Sequence, residues 1–145
     1  MFKSIKIILI FFITLNFSNS ILADEKFFEK GKQKYTEKKY DDSKFLLQQS
    51  IVFDPKDAKS YLYLAKIYNI EENEREKEKN INTVLLLNPK NEEAIYILME
   101  IELKKSNYSK VRDLAKSFTK VCVKLCDKKN LILQSLKNLE PNNES

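Results

Sequence analysis

Apolar residues recur three and four positions apart along most of the chain. Leu47 and Ile51 belong to one such series, and Ile81, Val84 and Leu85 belong to another. This spacing places the apolar side chains on one face of an α-helix, whereas a half-buried strand alternates apolar and polar residues with a period of two. The pattern therefore predicts helices of about 12 residues that are separated by short polar breaks.

The same landmark residues return when the chain is compared with itself at a shift of 34 residues. Pro55 coincides with Pro89, and Phe27 coincides first with Tyr61 and then with Ile95. Each period contains two helices, and one helix pair alone cannot bury its apolar face. Pairs that repeat with this period therefore stack and share a continuous core. We predict an all-α fold built from antiparallel helix pairs.

The period and its landmarks resemble the tetratricopeptide repeat (TPR) family, whose pattern combines a bulky residue, a small residue, an aromatic and a closing proline. The matching residues are Phe27, Gly31, Tyr40, Leu47 and Pro55 in the first repeat, Tyr61, Leu64, Ala65, Tyr68, Ile81, Val84 and Pro89 in the second, and Ile95, Leu98, Tyr108, Val111, Ala115 and Phe118 in the third. The resemblance implies about three TPR units stacked as a short right-handed solenoid. It also implies that the protein binds other proteins.

The repeat pattern divides the chain into consecutive segments. In order, they are a signal peptide over residues 1–23, TPR-like repeats over 24–57 and 58–91, a degenerate repeat over 92–125, a capping helix over 126–140 and a polar tail over 141–145. The last repeat would expose an apolar face. Leu131, Ile132 and Leu136 in the capping helix provide the cover that the end of a stacked array needs.

Three features of the repeats carry local expectations. Val123 stands where the third repeat would have its closing proline, which predicts that the second helix of that repeat continues further. Residues 71–79 are almost wholly charged, which is typical of a solvated helix face whose first turns project into water or fray. Gly31 and Ala65 are small, so we expect the two helices of a repeat to approach closely there.

The first 23 residues are typical of an export signal. Lys3 and Lys6 precede an apolar stretch over residues 7–13, and small polar residues lead to Ala23, a plausible cleavage position. Even at its longest, the apolar segment covers 16 residues and includes polar ones, whereas a membrane span needs about 20 mostly apolar residues. We expect cleavage and a periplasmic or secreted protein of a bacterial envelope. The alternative is a retained anchor, the only membrane contact that the sequence suggests.

Composition narrows the chemistry that this solenoid could support. The 145 residues include no histidine and one glycine, with 26 basic and 21 acidic residues. Without histidine there is no Ser-His-Asp triad and no His-ligated zinc site, and a single glycine leaves no Gly-rich phosphate loop. We therefore predict a protein that is not an enzyme and needs no cofactor. The basic excess is expected to be spread among acids, which argues against a nucleic-acid partner.

Cys122 and Cys126 are the two cysteines of the chain. On a regular helix their Cα atoms would lie about 6 Å apart, at the upper end of disulfide geometry. Export into an oxidising compartment favours a disulfide, which would stabilise so short a loop by about 2 kcal/mol. Two reduced, partly buried cysteines are the alternative, and a redox or metal-binding role is a third interpretation.

The first helices of the repeats would line a concave groove, which is the candidate binding site. Aromatic side chains would hold apolar residues of a peptide, and lysines would attract its carboxylates. Alternatively, the aromatics only complete the packing and the lysines only solvate the face. The predicted lining is Phe28, Lys32, Tyr35, Leu62, Lys66, Asn69, Tyr96, Glu100 and Leu103. Lys32 and Lys66 stand where the carboxylate clamp of the family has asparagine, so that clamp is not expected here.

These expectations combine into one functional hypothesis. The sequence predicts an exported TPR-type module that binds a peptide segment or helix of a partner in its groove and so assembles an envelope complex. The alternative is a self-associating scaffold or accessory subunit that has no free peptide groove. The sequence leaves the oligomeric state open.

Overall fold

The computed structural model describes residues 25–139, so the predicted signal segment and polar tail lie outside the described residues. This part of the chain consists of seven α-helices and contains no strand. The helices are α1 (25–36), α2 (Tyr40–Phe53), α3 (Ala58–Ile70), α4 (Glu74–Leu87), α5 (Glu92–Lys104), α6 (Tyr108–Val121) and α7 (Cys126–Leu139). Over the same residues, no helix is long and apolar enough to cross a membrane.

The helices form consecutive pairs that pack in series. Helices α3 and α4 pack together, as do α5 and α6, and each second helix also contacts the first helix of the next pair. Helix α7 packs against both α5 and α6 at the end of the array. Three core clusters follow one another along the stack, each shared between neighbouring pairs. The predicted all-α helical-repeat solenoid is confirmed.

Side-chain caps and left-handed residues define where the helices begin and end. Asn91 begins α5, and its side chain accepts a hydrogen bond from the backbone N–H of Ala94 at 2.9 Å, which satisfies a donor that the helix itself cannot pair. The turns inside the three pairs contain Lys38, Glu72 and Ser106, whose φ angles are 59°, 56° and 60°. These residues are 34 positions apart, so the turn repeats in its backbone although the residue type changes.

Gly31 allows α1 and α2 to approach closely, as predicted. A Cβ atom at this position would lie 2.9 Å from Cγ of Leu47, a fully buried side chain. The hydroxyl of Ser43 donates a hydrogen bond of 2.7 Å to the Gly31 carbonyl oxygen. Because both contacts involve the backbone of α1, a side chain at residue 31 would push the two helices apart.

The third repeat ends differently from the prediction. Helix α6 ends at Val121 and does not continue through Val123, because Cys122 has an extended backbone. The next backbone N–H groups donate to a side chain of α5 instead of to the preceding turn of α6. A short loop therefore separates α6 from α7.

The charged run 71–79 is not a uniformly solvated face, which corrects the second expectation. Helix α4 begins at Glu74, and Lys77 is only 3% exposed. Its ammonium lies 2.5 Å from a Glu74 carboxylate oxygen and 3.1 Å from the side-chain oxygen of Asn69. The burial is tolerated because the charge is both paired and hydrogen-bonded.

The distribution of charge also differs from the prediction. Residues 25–107 contain 16 basic and 16 acidic residues, whereas residues 108–139 contain eight basic and two acidic residues. The basic excess is therefore concentrated in α6, α7 and the loop between them. Their buried faces use aliphatic and aromatic residues, so the lysines occupy the solvent side.

Candidate functional site

The first helices of the three pairs share one cavity with a volume of about 140 Å³. Four residues predicted for the groove line it, namely Tyr35 from α1, Lys66 and Asn69 from α3, and Glu100 from α5. The remaining lining residues are Ala65, Ile70, Lys77 and Ile97. We call this site the α1–α3–α5 cavity. It combines three aliphatic side chains with both signs of charge.

Lys66 is held in place by two neighbours. Its ammonium lies 2.8 Å from a carboxylate oxygen of Glu93 and 4.7 Å from the centre of the Tyr63 ring. The ion pair and the cation–π contact both favour the charged form and restrict the side chain. A cation is therefore fixed at the cavity and already has a carboxylate partner.

Aromatic rings form the α1 side of the cavity. Tyr35 packs edge-to-face against Tyr63 and Tyr40, with ring centres 5.2 Å and 5.9 Å apart. Burial raises the pKa of Tyr35 above its ordinary value, and the nearby Lys66 partly opposes this increase. The phenol therefore stays protonated at neutral pH and can act as a hydrogen-bond donor.

Tyr96 and Glu100 form a hydrogen-bonded pair on α5. The Tyr96 hydroxyl donates to a Glu100 carboxylate oxygen at 2.6 Å. Burial and this hydrogen bond raise the pKa of Tyr96 to about 12. Lys128 of α7 lies with its ammonium 5.9 Å from the centre of the Tyr96 ring, so the end of the solenoid contacts this pair.

Sequence reasoning missed Lys77 and Tyr63. Lys77 belongs to a second helix, and its place in a charged run suggested solvent, yet it reaches the cavity from behind Asn69. The usable signal was its place in the repeat, where the family pattern expects a small core residue. Tyr63 follows the buried Leu62 in α3 and supports Lys66 and Tyr35 from the side.

The structure corrects the predicted groove at Phe28 and Leu62. Phe28 is 5% exposed and Leu62 is 8% exposed, so both belong to the core and cannot contact a partner broadly. Leu103 is half-buried against the C-terminal core cluster. Lys32 is exposed on α1 and lies 3.6 Å from Glu29. None of these four side chains lines the α1–α3–α5 cavity.

Cys122 and Cys126 are joined as a disulfide, with their Cα atoms 5.2 Å apart. The bond closes the loop between α6 and α7. The Glu92 carboxylate accepts hydrogen bonds from three N–H groups inside this loop, including one of 2.6 Å from Val123. These backbone hydrogen bonds, that of Val123 above all, lower the pKa of Glu92 below its ordinary value. Glu92 thus ties the start of α5 to the start of α7.

The site offers binding groups rather than a reacting constellation. The α1–α3–α5 cavity presents an ammonium, a carboxylate, a carboxamide and a phenol beside aliphatic side chains. Such groups can orient a polypeptide through hydrogen bonds and charge while the aliphatic residues hold an apolar side chain. Within residues 25–139, no three histidine, cysteine, aspartate or glutamate side chains are grouped as they would be around a metal ion.

No protein-family model and no curated protein sequence matches the chain. Solved structures do match its fold. The TPR2B domain of yeast Sti1, in its complex with pHsp70, superposes with a TM-score of 0.72 at 12% identity, covering 82% of this chain and 99% of that domain. The Arabidopsis OM64 TPR domain gives 0.71 at 15% identity, with 82% and 98% covered.

A bacterial protein shows the same likeness. The Yersinia enterocolitica type III secretion chaperone SycD, in complex with a peptide of the translocator YopD, gives a TM-score of 0.69 at 15% identity. The superposition covers 79% of this chain and 92% of the chaperone chain. Sequence identities this low bear on the fold alone. The described part of the chain therefore has a TPR-like fold.

Proposed function

We propose that the chain is an exported protein-interaction module that binds a peptide segment or helix of a partner and thereby assembles an envelope complex. The observation that carries the proposal is the α1–α3–α5 cavity, at which Tyr35, Lys66, Asn69 and Glu100 meet. Two structural neighbours support it, since the Sti1 domain is in a complex with pHsp70 and SycD is in a complex with a YopD peptide.

The cavity suits one side chain of a bound segment. Its volume of about 140 Å³ is below the roughly 300–1,000 Å³ of small-molecule pockets. An apolar side chain of the partner would enter between Ala65, Ile70 and Ile97. A carboxylate on the same segment would compete with Glu93 for Lys66, and Asn69 would hydrogen-bond the partner backbone.

A pull-down from the native envelope tests the binding role, with the chain from residue 24 onward as bait. Lys66→Glu places a second carboxylate beside Glu93, so we expect it to lower partner recovery at least about tenfold. Lys56→Glu is the matched control, because it changes the net charge equally in an exposed loop between α2 and α3. Equal recovery by both variants would exclude the cavity as the binding site.

Export is tested separately by the N-terminal sequence of the protein isolated from its native cells. We expect it to begin at Asp24, after removal of the predicted signal segment. A sequence that begins at Met1 would contradict cleavage. The pull-down and the sequencing fail independently, so binding and export can be judged apart.

A further inference from the structure

Helix α7 differs from the other first helices of the array. Helices α1, α3 and α5 are each followed by a second helix that packs beside them, but residues 25–139 contain no second helix after α7. One flank of α7 and one flank of α6 therefore border a cleft instead of another helix. The solenoid has an open packing position at this end.

The cleft has a volume of about 300 Å³. Ala115 of α6 and Leu133 of α7 supply its apolar surface, and both belong to or pack against the C-terminal core cluster. Arg112, Lys116 and Lys129 also line it, together with Thr119. We call these six residues the α6–α7 cleft. Lys129 spans it, because its ammonium lies 3.3 Å from the Thr119 hydroxyl.

The charge around the α6–α7 cleft is one-sided. Residues 108–139 contain eight basic and two acidic residues, whereas the preceding helices are balanced. Lys116 lies 3.0 Å from Asp113, but both side chains are largely exposed, so water and salt weaken that pair. Lys129 meets a neutral hydroxyl. The cleft is thus apolar at its base and positive at its rim.

Helix α4 shows how this molecule binds an acidic helix elsewhere. The apolar residues Ile81 and Val84 of α4 enter the core between α3 and α5. Near its start, Glu74 lies 2.8 Å from Lys104, and Glu78 lies 2.5 Å from Lys105. An amphipathic helix with apolar residues on one face and glutamates at its edge therefore fits a packing position that has lysines at its rim.

We propose that the α6–α7 cleft binds an acidic amphipathic helix of a partner protein, in the position that a second helix after α7 would occupy. Apolar side chains of this helix cover Ala115 and Leu133, and its carboxylates pair with Lys116, Lys129 and Arg112. The α1–α3–α5 cavity contributes no residue to this site, so the inference does not depend on the proposed function.

A synthetic peptide of 14 residues, the length of α2, α4 and α6, is the probe. It has leucines three and four positions apart and glutamates at its other positions, and a second peptide has lysines in place of the glutamates. We expect the purified protein to bind the acidic peptide and not the basic one. The double variant Lys116→Glu, Lys129→Glu should weaken binding at least about tenfold.

The matched control is the double variant Lys120→Glu, Lys124→Glu. It makes the same change in net charge within the same part of the chain, but neither residue lines the α6–α7 cleft. We expect it to weaken binding less than about threefold, because screened charges outside the site contribute little. Circular dichroism of all variants confirms that the helices are intact. Equal losses in the two double variants would show general charge attraction and overturn the proposal.

Two further measurements decide where the peptide binds and whether a membrane is the true ligand. Amide shifts during the titration should concentrate in α6 and α7, and shifts centred on Lys66 or Asn69 instead would overturn the proposal. Binding of the protein to phosphatidylglycerol vesicles without binding to the acidic peptide would assign the positive charge to a lipid surface. That result would also overturn it.

Discussion

At Gly31, α1 and α2 approach so closely that a single methyl group lacks room. The Cβ atom of an alanine would lie 2.9 Å from Leu47 Cγ and 3.3 Å from the Leu47 backbone nitrogen. Leu47 is fully buried, so it cannot move away without disturbing its own neighbours. This position tests whether close contact or helix propensity determines stability.

We expect Gly31→Ala to lower the free energy of unfolding by about 1 kcal/mol. Crowding in a packed core costs about 1–3 kcal/mol, and the better helix propensity of alanine returns about 1 kcal/mol. Denaturant unfolding measures the difference. Lys30→Ala, at an exposed position of the same helix, should change stability by less than about 0.5 kcal/mol. A more stable Gly31→Ala protein would contradict the close approach.

The three left-handed turn residues allow the opposite prediction. Ser106 has a φ of 60°, which a residue with a β-carbon adopts at a cost of about 1–2 kcal/mol. Ser106→Gly should therefore raise the free energy of unfolding, by about 0.5–1 kcal/mol after the greater entropy of glycine in the unfolded chain is subtracted. Ser109→Gly, inside α6, should lower it by a similar amount, and thermal unfolding distinguishes the two.

Single residues were the hardest features to predict from the sequence. Lys38, Glu72 and Ser106 carry no glycine or asparagine signal, so their left-handed backbone follows only from the helices on either side. Lys77 was taken for a solvated residue because its neighbours are charged. Its burial depends on Asn69 and on Glu74, and the first of these pairings joins two helices.

At the scale of helices, the sequence was far more informative. The spacing of apolar residues and the 34-residue period predicted the helix pairs, because burial of one face determines the structure of each helix. The groove was predicted less well. Helical spacing alone cannot separate residues that face a neighbouring helix from residues that face an opening, which is why Phe28 and Leu62 were misplaced.

The loop between α6 and α7 joins two elements through the disulfide and Glu92. We expect the protein purified from an oxidising compartment to contain no free thiol. Reduction should lower the free energy of unfolding by about 2 kcal/mol, because the unfolded chain regains the entropy of an open loop. A thiol assay with and without reductant measures the first, and thermal unfolding measures the second. Two free thiols in the untreated protein would contradict the disulfide.

For the whole molecule, stability should be nearly constant between about pH 5 and 8. The chain has no histidine, which is the side chain that normally titrates in this range, and cysteines in a disulfide do not titrate. Below that range, carboxylates with lowered pKa values dominate. Hydrogen bonds from Lys39 above all lower the pKa of Glu37 from 4.5 to about 2, and the pKa of Glu92 is also lowered.

The sign of the acid effect follows from these shifts. A carboxyl group with a lower pKa in the folded state stabilises the protein fully above its unfolded pKa, and this stabilisation is lost as the pH falls through the folded pKa. We therefore expect the unfolding temperature to fall between about pH 4.5 and pH 2. Glu37→Gln should make that fall less steep. A decline that begins above pH 6 would require a different titrating group.

The uneven charge along the solenoid has a consequence for how the molecule moves. Because α6, α7 and their loop hold the positive excess of the described residues, the centre of charge is displaced from the centre of mass, and the protein has a permanent electric dipole moment. Near any anionic body it experiences a torque within a Debye length, about 8 Å at physiological salt. It therefore turns to arrive with α7 leading and α1 trailing, so its orientation is selected before any contact is made.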